Sequence, residues 1–109
     1  MGAIRSIGVV GGGAWGTALA LTAARAGREV RLWARDPGTV SDIRSRRQNP
    51  RYLPGITFDE ELEATSSLEE VADADAILLV TPAQTTRAML AALKQTGKGR
   101  GPVVLCAKG

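Results

Sequence analysis

The sequence predicts an α/β domain in which one parallel sheet is covered on both faces by helices. Short runs rich in Val, Ile and Leu alternate with longer helical patterns along the whole chain. A repeated strand–helix–strand alternation forces parallel pairing through right-handed crossovers. Hydrophobic residues make up 44% of the chain but aromatics only 4%. The core must therefore be Ala, Val, Leu and Ile, as suits a parallel sheet buried on both sides. With 109 residues the chain has the length of one domain with a single core.

Each element has a local reason. Ile4–Val10 is the first strand, and it runs straight into a glycine-rich turn. Ala14–Ala26 follows as an alanine-rich helix, with Gly27 at its C-cap to supply a left-handed residue. Glu29–Trp33 reads as the second strand, and Arg35-Asp36-Pro37-Gly38 turns the chain. Thr39–Arg47 is the second helix, with Val40 and Ile43 on one side. Two prolines and a glycine make Asn49-Pro50-Arg51-Tyr52-Leu53-Pro54-Gly55 an irregular loop. A short strand near Leu62–Thr65 comes next. Ser66 with Glu69, and Ser67 with Glu70, both have capping-box spacing for the helix Leu68–Val71. Ala76–Val80 is a buried strand, ended by Thr81-Pro82, and Pro82 opens the helix Ala83–Lys94. The loop Gly97–Gly101 leads to the last strand, Val103–Cys106, with Lys108 just beyond it.

The turn after the first strand carries chemistry. It reads Gly11-x-Gly13-x-x-Gly16 between a strand and a helix, the order of a dinucleotide-binding fingerprint in a Rossmann-like doubly wound parallel sheet. Gly11 permits the tight turn, Gly13 lets a pyrophosphate approach the backbone, and Gly16 lets the helix pack closely on the sheet. The N–H groups of the helix's first turn, Ala14 among them, are free for phosphate oxygens, and the helix dipole favours negative charge there. The bland alternative is a strand–turn–helix corner without a ligand. The motif's place at the first strand, with a second strand after the helix, favours the nucleotide reading.

Ligands of such sheets lie beyond the carboxyl ends of the strands, where strand order reverses. Gly11–Gly16, Arg35, Pro82-Ala83-Gln84 and Lys108 all fall there. Trp15, between the second and third glycines, is expected to contact the cofactor through its backbone N–H, its indole or both, the alternative being that it packs on neighbouring loops to hold the turn. Pro82 and Gln84 shape the crevice near the nicotinamide ribose, although a capping role serves Pro82 equally well. Enzymes that read a ribose 2′-hydroxyl place Asp or Glu about 20 residues after the glycines. Here Arg35 stands at that point, and a guanidinium binds a 2′-phosphate in bidentate fashion. NADP(H) is thus the expected cofactor, with NAD(H) also accepted; Asp36 is the competing candidate for a ribose hydroxyl. Lys108 can reach a phosphate or substrate oxygens as a point charge.

Composition closes several other routes. The net charge is +3, with Arg44, Arg46, Arg47 and Arg51 contributing much of the excess. We read them as partly a solvated helix end and partly a positive rim for an anion. Nucleic acid is disfavoured because only Tyr52 is interleaved as a stacking aromatic. The chain has no histidine and one cysteine, Cys106, so neither a metal cluster nor an internal disulfide is expected. Cys106 reads as a small buried strand residue rather than a nucleophile. No apolar run approaches the roughly 20 residues of a membrane helix, and the start of the chain carries no signal-peptide pattern. The expected location is therefore cytoplasmic.

In combination, Gly-Gly-Gly-Ala-Trp-Gly-Thr-Ala-Leu-Ala (11–20), Arg-Leu-Trp-Ala-Arg-Asp (31–36), Asn-Pro-Arg-Tyr-Leu-Pro-Gly (49–55), Val-Thr-Pro-Ala-Gln (80–84) and Ala-Lys-Gly (107–109) resemble the bacterial NAD(P)-dependent glycerol-3-phosphate dehydrogenases. The resemblance implies interconversion of dihydroxyacetone phosphate and sn-glycerol 3-phosphate, feeding phospholipid synthesis, with a small phosphorylated substrate. It implies cofactor contacts at Gly11, Gly13, Ala14, Trp15, Gly16, Arg35, Tyr52 and Lys108, with Lys108 touching substrate as well. It also implies a second, helical domain after residues 1–109, holding the proton-transfer lysine. On that reading this chain is the nucleotide-binding fragment of a two-domain enzyme and holds no catalytic residue. A fragment of that kind should not turn over, and its truncated face should expose apolar surface. A homodimer of the full-length protein stays open. The rival readings are a ketopantoate reductase or 3-hydroxyacid dehydrogenase with the same N-terminal fold, and a non-catalytic NAD(P)H sensor. The Asn-x-x-Tyr-Leu-Pro-Gly loop and Ala-Lys-Gly argue against the first two.

Overall fold

A computed structural model describes residues 4–99 and 101–106. Its main sheet has five strands, β1 (Ser6–Val10), β2 (Glu29–Trp33), β5 (Glu63–Thr65), β6 (Ala76–Leu79) and β7 (Val103–Leu105), in the order β5-β2-β1-β6-β7. Every pairing in it is parallel. The chain steps outward from β1 to β2 and β5, then returns to lay β6 on the other side of β1. Strand order therefore reverses between β1 and β6. The register brings Val10 level with Trp33 on one side and Leu79 on the other, and Leu79 level with Leu105. All four strands thus release their chains along one edge.

The helices are α1 (Ala14–Arg25), α2 (Pro37–Arg46), α3 (Leu68–Ala72) and α4 (Ala83–Gln95). Alternation along β1 splits the core between the two faces of the sheet. Val9 packs with Ala20 of α1, Val30, Leu32, Ala34, Val40, Ile43, Phe58 and Ala64. Val10 packs on the other face with Val71, Ala72, Ile77, Leu79, Met89 and Leu93 of α3, β6 and α4. The expected single core is two, because helices cover both sides of a sheet whose central strand is fully buried. At one edge β7 leaves Val103, Val104 and Leu105 exposed.

The elements fall where the sequence placed them, with four differences. α1 closes with Ala26 as C-cap and Gly27 one residue later at φ +87°. Gly27 N–H donates to the Ala24 carbonyl (3.0 Å) and Arg28 N–H to that of Ala23 (3.2 Å), the paired bonds of a Schellman ending. α2 starts at Pro37, earlier than Thr39, because Asp36 caps it and proline is pre-organised for the first helical position. α3 is not held by a serine capping box: Ser67 is its N-cap but its hydroxyl makes no capping bond. Thr65 does the work instead, its Oγ1 accepting from Ser67 N–H (3.0 Å) and donating to the Glu70 carboxylate.

The fourth difference lies in the loop 49–55. It contains an antiparallel hairpin, β3 (Gln48–Asn49) with β4 (Leu53–Thr57), pairing Asn49 with Leu53 and Gln48 with Thr57. Pro54 is compatible with it because a two-stranded ribbon has only edges, where a missing N–H is tolerated. Arg47 anchors the ribbon's base. It adopts φ +54° as the C-cap of α2, a conformation costing about 1–2 kcal/mol for a non-glycine residue. Its guanidinium offsets that cost by donating to the carbonyls of Phe58 (3.0 Å), Asp59 (3.2 Å) and Glu60 (2.7 Å).

Candidate cofactor site

The carboxyl edge of the sheet gathers the turn after β1, residues 34–36 after β2, Val80-Thr81-Pro82 after β6 and Cys106 after β7. Gly11 sits between two of these neighbours. Its N–H donates to the Trp33 carbonyl (3.0 Å), and its φ is +133°. A Cβ on Gly11 would lie 2.2 Å from the Val80 carbonyl oxygen. A Cβ on Gly16 would lie 1.8 Å from the Gly11 carbonyl oxygen. The close approach that Gly16 permits is therefore between the helix and the turn itself rather than the sheet.

Gly13 is the N-cap of α1, with φ −75° and ψ −172°, and no side chain caps the helix. A Cβ placed on Gly13 would meet no atom within 4 Å. Ala14 and Trp15 follow as exposed residues of the first turn, Trp15 at 50% exposure. The first N–H groups of an α-helix have no intrahelical acceptor, so here they face open space at the positive end of the dipole. Beneath them the turn is bonded inward. Thr17 Oγ1 donates to the Gly13 carbonyl (2.8 Å), and Asn49 Nδ2 donates to the Gly12 carbonyl (3.0 Å) and to Thr17 Oγ1 (2.9 Å).

The arginines sort by their partners. Arg44 donates to the Ala64 carbonyl (2.8 Å), Arg46 faces Asp42 at 4.0 Å, Arg47 holds the carbonyls of 58–60, and Arg51 pairs with Asp36 at 2.9 Å. The positive rim expected from these four is thus largely committed to the fold. Arg35 is exposed and, among the described residues, makes no hydrogen bond or ion pair. Asp36 is engaged at both oxygens: Oδ1 accepts from Gly38 N–H (3.0 Å), and Oδ2 from Thr39 Oγ1 (3.3 Å) and Arg51. Its carboxylate serves the start of α2, which leaves Arg35 as the uncommitted group after β2.

Tyr52 lies in the turn of the hairpin, 44% exposed, its N–H donating to the Asn49 carbonyl (3.2 Å). Pro82 is the N-cap of α4, and its carbonyl accepts from Thr85 N–H (2.9 Å); Gln84 is exposed. Cys106 N–H donates to the Leu79 carbonyl (2.9 Å), its side chain half-buried. Lys108 lies outside the described residues. A concavity of about 1010 Å³ opens at the opposite end of the sheet, among Arg28, Glu29, Glu61 and Glu63. Helices end there rather than begin, and its charges are mixed, so it offers no converging donors to an anion.

The model of the family described as NAD-dependent glycerol-3-phosphate dehydrogenase N-terminus matches residues 6–109. The chain belongs to that family. A curated relative in this family, glycerol-3-phosphate dehydrogenase [NAD(P)+] of Paramagnetospirillum magneticum, is 56% identical over 106 residues, which are 97% of this chain and 38% of that protein. The crystal structure of glycerol-3-phosphate dehydrogenase from Coxiella burnetii superposes with a TM-score of 0.84 at 34% identity, covering 97% of this chain and 33% of that one. The chain thus spans about a third of the length of the curated relatives it matches. A ketopantoate reductase from Ralstonia eutropha shares the fold, with a TM-score of 0.73, 23% identity and 96% of this chain covered against 35% of that one. The family's NAD(P) dependence fits the residues present. A helix N-terminus without a capping side chain and a glycine with open space beside it suit the diphosphate of such a cofactor.

Asn49 is the residue of this edge that sequence reasoning did not single out. Its signal was present in the Asn-x-x-Tyr-Leu-Pro-Gly segment, but nothing in the one-dimensional pattern says that a loop residue is buried under the glycine turn. Thr81, after β6, is similar in that its hydroxyl is buried without a hydrogen-bond partner.

Proposed function

We propose that this chain forms the NAD(P)-binding part of an enzyme that interconverts dihydroxyacetone phosphate and sn-glycerol 3-phosphate. The observation that carries the reading is the bare N-terminus of α1 at the point where strand order reverses, with Gly13 open before it. When bound, the nicotinamide cofactor supplies the hydride. The chain's own residues bind and orient. Gly13, Ala14 and Trp15 present N–H groups to the diphosphate, and Gly11 and Gly16 fix the backbone that presents them. Arg35 engages a ribose 2′-phosphate, so NADPH is preferred and NADH is accepted. Tyr52 contributes a contact from the hairpin side, and Lys108 contacts cofactor and substrate. The group that hands a proton to the substrate oxygen comes from polypeptide beyond residues 1–109, in a helical second domain. The product feeds glycerophospholipid synthesis in the cytoplasm.

No helix among the described residues is long and apolar enough to cross a membrane. The direct test follows NADPH oxidation by the intact protein with dihydroxyacetone phosphate. Calorimetric titration with NADPH and NADH runs alongside it. Oxidation that depends on dihydroxyacetone phosphate, with tighter binding of NADPH, is expected. Absence of binding by either coenzyme refutes the site. Binding without turnover of dihydroxyacetone phosphate leaves the site standing and refutes the substrate.

A further inference from the structure

We infer that Asn49 is a positioning residue for the cofactor: its side-chain amide turns the Gly12–Gly13 peptide so that the Gly13 N–H faces the diphosphate. The inference deepens the cofactor reading above and rests on it.

Asn49 is fully buried, although it belongs to a hairpin whose β4 residues are mostly exposed. Its Nδ2 spends both protons on the glycine turn, one on the Gly12 carbonyl (3.0 Å) and one on Thr17 Oγ1 (2.9 Å). Thr17, also fully buried, passes its own proton to the Gly13 carbonyl (2.8 Å). The two carbonyl oxygens nearest the helix start are both drawn inward. That matters for an anion, because a carbonyl oxygen turned toward it would repel it.

The peptide plane does the rest. A trans peptide holds its C=O and the following N–H in opposite directions, and no peptide bond here is cis. Anchoring the Gly12 oxygen toward Asn49 therefore aims the Gly13 N–H away from the interior. Gly13 itself is not enclosed, since a Cβ there would meet nothing within 4 Å.

Asn49 Oδ1 is buried without a hydrogen-bond partner. Reversing the amide would set that oxygen against the Gly12 carbonyl oxygen, so the orientation is fixed by the turn. A buried acceptor without a partner is unfavourable, and a residue chosen only to fill space would avoid it. What Asn49 contributes is the donor pair. The same residue ties the hairpin to the turn, because its carbonyl accepts from Tyr52 N–H and it pairs with Leu53.

The test compares the wild type and Asn49→Ala in the intact protein, with two probes. ADP-ribose carries the diphosphate; 2′-AMP carries a ribose phosphate but no diphosphate. Asn49→Ala is expected to weaken ADP-ribose by about tenfold or more, the scale of one well-placed hydrogen bond to a charged group, and 2′-AMP by less than about twofold. Equal weakening of both probes, or unchanged ADP-ribose affinity, overturns the positioning role. Should the variant fail to fold, the wild type decides by nuclear magnetic resonance. Saturation with ADP-ribose should move the Gly13 amide proton downfield, and an unmoved Gly13 amide overturns the role. Wild-type protein that binds neither probe takes down the cofactor reading together with this one.

Discussion

The substitution Gly13→Ala separates a cofactor site from an ordinary strand–turn–helix corner. Gly13 has φ −75° and ψ −172°, extended backbone open to any residue, and a methyl group there meets no atom within 4 Å. The fold loses only the difference between glycine and alanine as an N-cap, about 0.5–1 kcal/mol, a fall of a few degrees in Tm. On the proposed binding mode the same methyl would occupy the space that the diphosphate needs. Calorimetric titration should show NADPH binding weakened by at least about 10–100-fold, or about 1.4–2.8 kcal/mol. Gly16→Ala is the control with the opposite signature. Its Cβ would sit 1.8 Å from the Gly11 carbonyl oxygen, and ordinary contact begins near 3.4 Å. The helix start and the turn must therefore part by about 1.6 Å, the difference between those distances. The roughly 1 kcal/mol that alanine adds to helix propensity does not cover overpacking of about 1–3 kcal/mol or more. Gly16→Ala should lower Tm and lose binding together. Native NADPH affinity in Gly13→Ala would refute the placement of the diphosphate at this helix.

Arg35→Glu should leave Tm almost unchanged, because Arg35 has no partner to lose among the described residues, and weaken NADPH by about 10–100-fold, the scale of a charge-assisted bond, with little change for NADH; equal effects on both coenzymes would remove Arg35 from a 2′-phosphate role. Asp36→Ala removes the cap of α2 and the Arg51 pair, so Tm should fall by the equivalent of about 1 kcal/mol; unchanged Tm with lost NADH affinity would instead assign Asp36 to the ribose. The Arg25 guanidinium, bonded to Glu60 at 2.8 Å, holds that carboxyl below its ordinary value of 4.5. A lowered folded-state pKa stabilises above the unfolded value and is lost as pH falls through the folded one. Glu60→Gln should therefore flatten the Tm-against-pH curve below pH 4.5, and an unaltered acid slope would show that the pair contributes nothing.

The sheet was legible because each of its strands is a local signal. Val9 and Val10 face opposite sides of a buried strand, so the apolar run alone marked β1, and the glycines after it marked the turn. The helix starts were less legible, since a cap depends on which oxygen arrives. Ser67 has the right spacing to Glu70 but Thr65 supplies the bonds, and Asp36 caps α2 so that it starts at Pro37, two residues before the expected Thr39. The hairpin at 48–57 was hidden for another reason. Prolines and glycine forbid a central strand but not a two-stranded ribbon, and what holds this one is long-range: Arg47 reaching residues 58–60 and Asn49 reaching the glycine turn. Those contacts span the fold and leave no periodicity behind.

Counting cations in the sequence pointed to the cluster at 44–51, yet partner geometry points to Arg35. The cluster's charges are spent on Ala64, Asp42, the 58–60 carbonyls and Asp36, and a guanidinium already paired gains less from an incoming phosphate than one facing only water. The same logic governs the backbone. An anion site needs donors that the fold has left unused, and here the carbonyls of Gly12 and Gly13 are tied down by Asn49 and Thr17 while the helix's first N–H groups carry no cap. Satisfying the acceptors of a turn and withholding partners from its donors makes the turn electropositive without any charged residue in it. After β2, Arg35 is the cation that the fold leaves without a partner among the described residues.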